Sequence, residues 1–384
     1  MRVLFVTHNF PRFRGDLPGS FLLRLATALR DLAIDVRVVA PHSPGHPVTG
    51  DVDGIRVTRY RYAPDARETL AYSGTLAAQV RASWTSKFDL VRMLRAGTSA
   101  IRAQSREADV VHAHWWFPGG ASATRFALRG TPLVTTLHGS DVRFARGAFI
   151  RSQMRRVLRR SRRVTAVSEW LAGEAATAMG GERPLVAPMP VAVDLFQPRD
   201  APRDGLLFVG KLDAQKGTAV LLEALRLLPA TLHATIVGDG PDARYLHARA
   251  ADLGVAGRVR WVGAVAQEAL PQYYRSARVL VAPATEPEGL GLVAAESLLC
   301  ETPVIASDVG GARDIVIDGT TGKLVPPRDP SALAATISSA LASRETLDAW
   351  GKEGRTRVLA RFSPESCAAT YHEVYQEALR AQRP

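Results

Sequence analysis

Glu288, Gly289, Gly291 and Glu296 are the residues whose types and spacing point most directly to chemistry. They lie between two apolar runs, 278–282 and 302–306, that read as buried strands. The two glycines lack side chains, so a ligand can rest against bare backbone there. A helix starting at these glycines turns its free N–H groups outward, which suits an anion. With Glu296 eight helical residues on from Glu288, the carboxylates would be about 12 Å apart along the axis. That matches the span from the hexose to the ribose of a nucleotide-diphosphate sugar. Each carboxylate would accept hydroxyl hydrogen bonds, with the diphosphate over the helix start. The bland alternative is a solvated acidic loop followed by one surface glutamate.

A chain of 384 residues, 46% of them hydrophobic, is long enough for two cored domains. Cys300 and Cys367 give no disulfide framework and suit a reducing, cytoplasmic setting. The opening residues carry too short an apolar run for a signal peptide, and no run is long enough to span a membrane. Net charge is +12 and uneven. Residues 1–195 hold 28 Lys/Arg against 15 Asp/Glu, and residues 196–384 hold 21 against 22. The basic half expects an anionic partner such as phospholipid, a lipid-linked phosphate or nucleic acid. An arginine-rich proteome of high GC content is the competing explanation of the total, though not of the asymmetry.

Strand 2–7, a Gly-bearing loop, helix 19–31 and strands 36–40 and 55–60 open the chain as a parallel α/β unit. No G-x-G-x-x-G follows the first strand. Asp51 and Asp53 form a D-x-D, a metal motif elsewhere, but a polar loop ahead of Gly54 reads as turn chemistry. Residues 63–105 suggest helices carrying Trp84, Phe88 and Met93 and an insert that shapes a pocket. His112 and His114 share one face of a strand. They lack further ligands at suitable spacing, so packing and lining of a site are favoured over metal. Strand 131–137 ends in His138 and Gly139, and ligands gather at the carboxyl ends of parallel strands. His138 is therefore the candidate for contact at a reacting centre, a packed capping histidine being the alternative. Nine arginines between Arg143 and Arg163, interleaved with Phe149, Ile150, Met154, Val157 and Leu158, form a basic amphipathic helix. Its apolar face is expected inward, with a basic rim at a cleft or membrane. Ser168 caps the next helix. Residues 198–205 read as a linker.

Glu288-Gly-Leu-Gly-Leu with Glu296 beyond it, then Thr302-Pro-Val-Ile-Ala, resembles the nucleotide-sugar motif of the retaining GT-B glycosyltransferases of family 4. The likeness extends to Gly210-Lys-Leu with Lys216-Gly217, and to Thr136-Leu-His138-Gly-Ser-Asp141. It covers essentially the whole chain and is strongest over 206–326. Two departures stand out. Lys211 occupies the place of the family's arginine, replacing a bidentate fork with a point charge. Met189-Pro190 stands where the family has Asn-Gly.

The resemblance implies an α/β GT-B fold, two Rossmann-like domains with parallel sheets facing a central cleft. Residues 1–197 would bind the acceptor, 206–363 the nucleotide sugar, and 364–384 would form a helix returning to the first domain. The reaction implied is retaining transfer of a hexose-type sugar from a UDP- or GDP-sugar to an acceptor hydroxyl. The acceptor would be a lipid, a lipid-linked saccharide or a small glycoconjugate, and neither metal nor cofactor is expected. Lys211 and Lys216 would clamp the diphosphate. Glu288 would hold sugar hydroxyls, Glu296 the ribose, and Gly19 the donor phosphate unless it merely begins a helix. Gly238, Val265, Gly289, Leu290, Gly291 and Leu292 complete the donor side. His138 would act at the reacting centre, with His114 and Asp141 on the acceptor side. Rival readings are another GT-B enzyme, such as a nucleotide-sugar epimerase or a phosphorylase, and a non-catalytic anion or nucleic-acid binder. The arginines do not follow a known nucleic-acid module, so nucleic acid is disfavoured. A cytoplasmic protein, peripheral on a membrane, is the setting expected.

Overall fold

The computed structural model describes residues 1–72, 76, 79–80, 83–124, 130–140, 142, 145 and 147–380. The chain divides into two compact units. One comprises Met1–Pro190 with the segment from Pro364 onward, and the other Val191–Ser363.

The first unit is built on eight strands: β1 (Arg2–Val6), β2 (Asp35–Pro41), β3 (Thr49–Val52), β4 (Ile55–Tyr60), β5 (Val110–His114), β6 (Leu133–Leu137), β7 (Arg163–Ala166) and β8 (Leu185–Val186). Their order is β3-β4-β2-β1-β5-β6-β7-β8. All neighbours are parallel except the β3–β4 hairpin, whose first strand the sequence reading did not anticipate. β1, β5 and β6 are buried almost throughout, which explains their unbroken apolar runs. Asp51 accepts from the Gly54 amide at 2.7 Å and Asp53 has φ 51°, so the D-x-D is the hairpin's turn. Leu22, Leu25, Ala26 and Leu29 of helix Ser20–Asp31 face the core at helical spacing. Gly19 starts that helix at φ 75°, and a Cβ there would lie 2.2 Å from the Asn9 carbonyl oxygen.

Helix Pro364–Arg380 belongs to this unit. Tyr375 Oη bonds His112 Nδ1 at 2.7 Å, and Tyr371 Oη donates to the Ala187 carbonyl at 2.9 Å. Among the described residues of 63–105 lies a long helix, Trp84–Gln104, with Met93 buried but Trp84 and Phe88 exposed. In helix Ala148–Arg160, Met154, Val157 and Leu158 face inward, while Phe149 faces solvent despite its place in the apolar pattern.

The second unit contains β9 (Leu206–Val209), β10 (Ala234–Val237), β11 (Val259–Gly263), β12 (Val279–Ala282), β13 (Val304–Ser307) and β14 (Gly322–Val325). All are parallel, in the order β11-β10-β9-β12-β13-β14. This is the doubly wound order, and its direction reverses between β9 and β12. Loops leaving the carboxyl ends touch backbone to backbone. A Cβ on Gly217 would sit 1.9 Å from the Pro283 oxygen, and one on Gly238 1.8 Å from the Gly210 oxygen.

The stretch 191–197, placed by sequence in the first domain, lies in the second unit, as does 198–205. The latter is not a free linker. The Arg203 guanidinium donates to the carbonyls of Cys300 and Glu301 and to Thr302 Oγ1, and the Asp204 amide donates to the Ser276 carbonyl. The chain passes between units at 190–191 and 363–364 instead.

Candidate active site

Each unit gathers its reactive residues where the winding of its own sheet reverses. In the second unit, the loop after β9 carries Lys211 and Lys216, and the loop after β12 carries Glu288 to Gly291. The two are tied together, since the Thr285 amide donates to the Gln215 carbonyl at 2.9 Å and Thr285 Oγ1 to that of Ala214 at 2.8 Å. Asp213 accepts from the Lys216 amide and fixes the short turn that aims Lys216.

Lys216 Nζ lies 2.6 Å from Glu288 Oε1, with both side chains largely buried. These two, with Leu290 and Gly291, line a small pocket over the ends of β9, β12 and β13. Gly291, at φ 79°, begins helix Leu292–Leu299, and a Cβ there would meet nothing within 4 Å. Leu292 is the first helical residue. The Glu288 carbonyl accepts from the Gly311 amide at 2.9 Å, and a Cβ on Gly311 would come within 2.3 Å of the Gly289 oxygen. A lysine, a pair-forming carboxylate and free amides at one helix start form a place for a phosphate group.

The other expected donor residues stand differently. Lys211 is 60% exposed and turns toward Asp213 at 3.6 Å, so it does not line this pocket. Gly238 is fixed by its contact with Gly210, and Val265 is half-buried in the loop after β11. The carboxylate spacing needs correction. Helix begins only at Leu292, so the rise to Glu296 is about 6 Å and the remaining residues are loop. Glu296 is buried, accepting from Tyr274 Oη at 2.9 Å and Gln267 Nε2 at 3.3 Å. The sequence reading missed both partners, which lie on separate elements with no local spacing to link them. Burial and the adjacent carboxylate raise the Tyr274 hydroxyl well above its ordinary pKa, so it remains a donor.

In the first unit, β1 and β5 mark the reversal. Both lead into aromatic and imidazole rings. His112 and His114 do share a face, with ring centres 4.0 Å apart. His112 is satisfied by Tyr375 and by Thr136 Oγ1 at 2.7 Å. His114 Nδ1 meets His138 Nε2 at 3.3 Å. His138 stacks on Trp115 at 4.1 Å, and His8 packs edge-on against the same indole. His8 Nδ1 and His114 Nε2 are buried without a hydrogen-bond partner among the described residues. Trp115 and His8 were not singled out by the sequence reading, although each ends a strand at the switch point. Asp141 lies outside the described residues.

Burial holds these imidazoles neutral. It lowers His8 to about 4 and His112 to about 3, and puts His114 and His138 well below the ordinary 6.5 with help from neighbouring histidines. His138 therefore acts at neutral pH as an uncharged hydrogen-bonding group. The His112–His114 pair has no carboxylate at metal distance among the described residues. The group that does is His42, Asp65 and Glu68, and there the His42 nitrogens already bond Glu68 and the His46 carbonyl.

Two sheets of mainly parallel strands, one in each unit and each with ligand-type residues at its own switch point, are the elements of the GT-B class of glycosyltransferase. Residues 19–195 match Glycosyltransferase Family 4 and residues 197–357 match Glycosyl transferases group 1. D-inositol 3-phosphate glycosyltransferase of Xylanimonas cellulosilytica is 31% identical, over 96% of this chain and 94% of its own. Sucrose-phosphate synthase from Thermosynechococcus elongatus matches 99% of this chain and 100% of its own with TM-score 0.81 and 24% identity. Anabaena HepE in complex with UDP-glucose matches 98% and 99% with TM-score 0.74 and 20% identity. The chain belongs to glycosyltransferase family 4, and it is a glycosyltransferase of the GT-B fold.

Two outcomes follow from the buried groups. The unfolded chain protonates its histidines near 6.5, whereas the folded chain holds His8 and His112 neutral down to about 4 and about 3. Stability is full above 6.5 and falls as pH drops below it, by up to about 1.4 kcal/mol per pH unit for each such histidine. Urea unfolding between pH 7.5 and 4 should show this slope, and His112→Gln should make it shallower; an unchanged slope in the variant would remove His112 as a source. Separately, Glu296→Ala should cost about 1–3 kcal/mol by stranding the Tyr274 hydroxyl. Adding Tyr274→Phe should recover part of that loss, and strictly additive losses in the double variant would show that the two are not coupled.

Proposed function

We propose that the protein transfers a hexose from a UDP- or GDP-sugar to a hydroxyl of an anionic acceptor, with retention at the anomeric carbon and without a metal ion. The observation that carries this is Lys216 beside the open helix start at Gly291, at the switch point of the second unit. The second unit takes the donor, and the histidine-lined switch point of the first takes the acceptor. HepE bound to UDP-glucose supports a nucleotide-sugar donor. The relative named for inositol 3-phosphate, together with the basic first half, supports an acceptor that bears phosphate.

In this reading the bond from the anomeric carbon to the diphosphate oxygen breaks, and its electrons leave with the diphosphate. The acceptor oxygen forms its bond on the same face, and its proton passes to the departing phosphate. The developing negative charge meets Lys216 and the helix amides, which are in place before reaction. Lys216 has three N–H donors, so pairing with Glu288 leaves two for phosphate oxygens. Glu288 thereby orients Lys216 and offers its second oxygen to a sugar hydroxyl. His138, neutral, contributes one hydrogen bond rather than a charge. Glu296 reaches the ribose only with an oxygen already shared with Tyr274 or Gln267, so it acts as a braced acceptor.

Lys216→Ala should lower kcat by on the order of a hundredfold or more. In parallel, a donor at a hundred times its Kd should add about 2.7 kcal/mol of stability to the unaltered protein, read as a thermal shift across a panel of nucleotide sugars. A mild kcat effect would place the phosphate elsewhere. Nucleotide-sugar turnover without acceptor would favour an epimerase.

The acceptor is proposed to be met at a membrane surface. Trp84, Phe88 and Val91 fall at i, i+4 and i+7 of one helix and are 76%, 67% and 45% exposed. Lys87, Arg92 and Arg95 are exposed alongside them, with Lys87 Nζ 3.7 Å from the Trp84 ring centre. Apolar anchors flanked by cations suit an anionic bilayer. This moves the expected membrane contact from the arginine-rich helix to helix Trp84–Gln104. Sedimentation with phosphatidylglycerol-containing vesicles should exceed that with phosphatidylcholine alone and be lost in Trp84→Glu/Phe88→Glu. Equal sedimentation of the double variant would rule this face out.

A further inference from the structure

We propose that the first unit carries a second anion site, built for a phosphate group, at the amino ends of β7 and β8. It is a cavity of about 410 Å³, within the range of roughly 300–1,000 Å³ typical of small-ligand sites. Five arginines line it: Arg155, Arg159, Arg162, Arg163 and Arg183. The carboxylates among its lining residues are Glu182 and Glu377. The histidine cluster stands at the carboxyl ends of β5 and β6, so this cavity opens at the opposite edge of the same sheet.

The arginines are not all accounted for by the fold. Arg163 pairs with Glu377 at 3.0 Å and Arg183 with Glu169 at 2.7 Å. Arg155 Nε caps helix Glu169–Met179 by donating to the Ala178 carbonyl at 2.8 Å. Arg159 and Arg162 have no ion pair within 4.0 Å among the described residues. Five positive charges face two negative ones in the lining, and Glu169 outside it removes one more. The carboxyl ends of helices Ala148–Arg160 and Glu169–Met179 also point here, each equivalent to roughly half a negative charge. That sum still leaves about one positive charge in excess. Guanidinium forks at the mouth of a cavity match phosphate oxygens two at a time. A bound phosphate would relieve the crowding of like charges and disturb neither helix cap.

The occupant's chemistry is thus a phosphomonoester or diphosphate, carried either by a soluble metabolite or by a lipid headgroup. The site does not rest on the donor reading, and the test keeps the two apart. Inorganic pyrophosphate is titrated calorimetrically into the full chain, Lys216→Ala, and Arg159→Ser/Arg162→Ser. Vesicles of phosphatidylcholine with and without phosphatidic acid are sedimented with the same three proteins. The expected result is that Lys216→Ala keeps a pyrophosphate or phosphatidic-acid site, that Arg159→Ser/Arg162→Ser weakens it at least tenfold, and that the latter variant's glycosyl transfer to a soluble acceptor is unchanged. Loss in the pyrophosphate arm alone identifies a soluble phosphate as the ligand, and loss in the vesicle arm identifies a headgroup. Binding by Arg159→Ser/Arg162→Ser as tight as by the unaltered chain in both arms overturns the proposal.

Discussion

The second unit depends on backbone meeting backbone without side chains between. The loops after β9, β10, β12 and β13 approach so closely that Gly217, Gly238, Gly240, Gly310 and Gly311 have no room for a Cβ. Any other residue would push a neighbouring carbonyl aside. This constraint brings the turn bearing Lys216 against the loop bearing Glu288, while a Cβ on Gly291 at the helix start would meet nothing within 4 Å. The chemistry of the pocket is therefore a property of loop contact as much as of the lysine and the glutamate themselves.

The first unit reaches its site by another route. Its switch point is packed with rings rather than glycines, and those rings are polar groups held out of water. His112 satisfies both nitrogens within the protein, while His114 and His138 share one contact. Neutral imidazoles in a dry setting give directed hydrogen bonds without adding charge. Of the two switch points, the positive charge thus lies with Lys216 and the helix start, and not with the neutral histidines. The two units differ in kind, one electrostatic and one positional.

How much of this was legible in the sequence depends on the range of the interaction. Ser168 as a helix cap, the buried strands around His112 and His138, and the Gly-rich turn at Glu288 follow from neighbours a few residues away, and the structure has them. The helix start was misjudged because Gly289 and Gly291 look alike in sequence, yet only Gly291 takes the left-handed position at the cap. The partners of Glu296 were out of reach, since Tyr274 comes from helix Leu270–Ser276 and Gln267 from the 3-10 turn before it, over twenty residues away. Helical spacing put Phe149 on an apolar stripe, but which faces would stay uncovered is decided by the rest of the fold. Likewise, the Pro- and Asp-rich composition of 198–205 suggested freedom, and three hydrogen bonds from Arg203 remove it.

The helix from Pro364 has a consequence for the order in which the molecule is completed. Tyr371 and Tyr375 supply the hydroxyls that meet Thr136, Ala187 and His112, deep in a sheet made of residues synthesised far earlier. A nascent chain that has emerged only as far as Ser363 holds every residue of the second unit. Its first unit, begun long before, still has an unmet imidazole nitrogen on β5 and an unfilled seam beside β6. The half of the protein that is translated first is the half that must wait for the last helix.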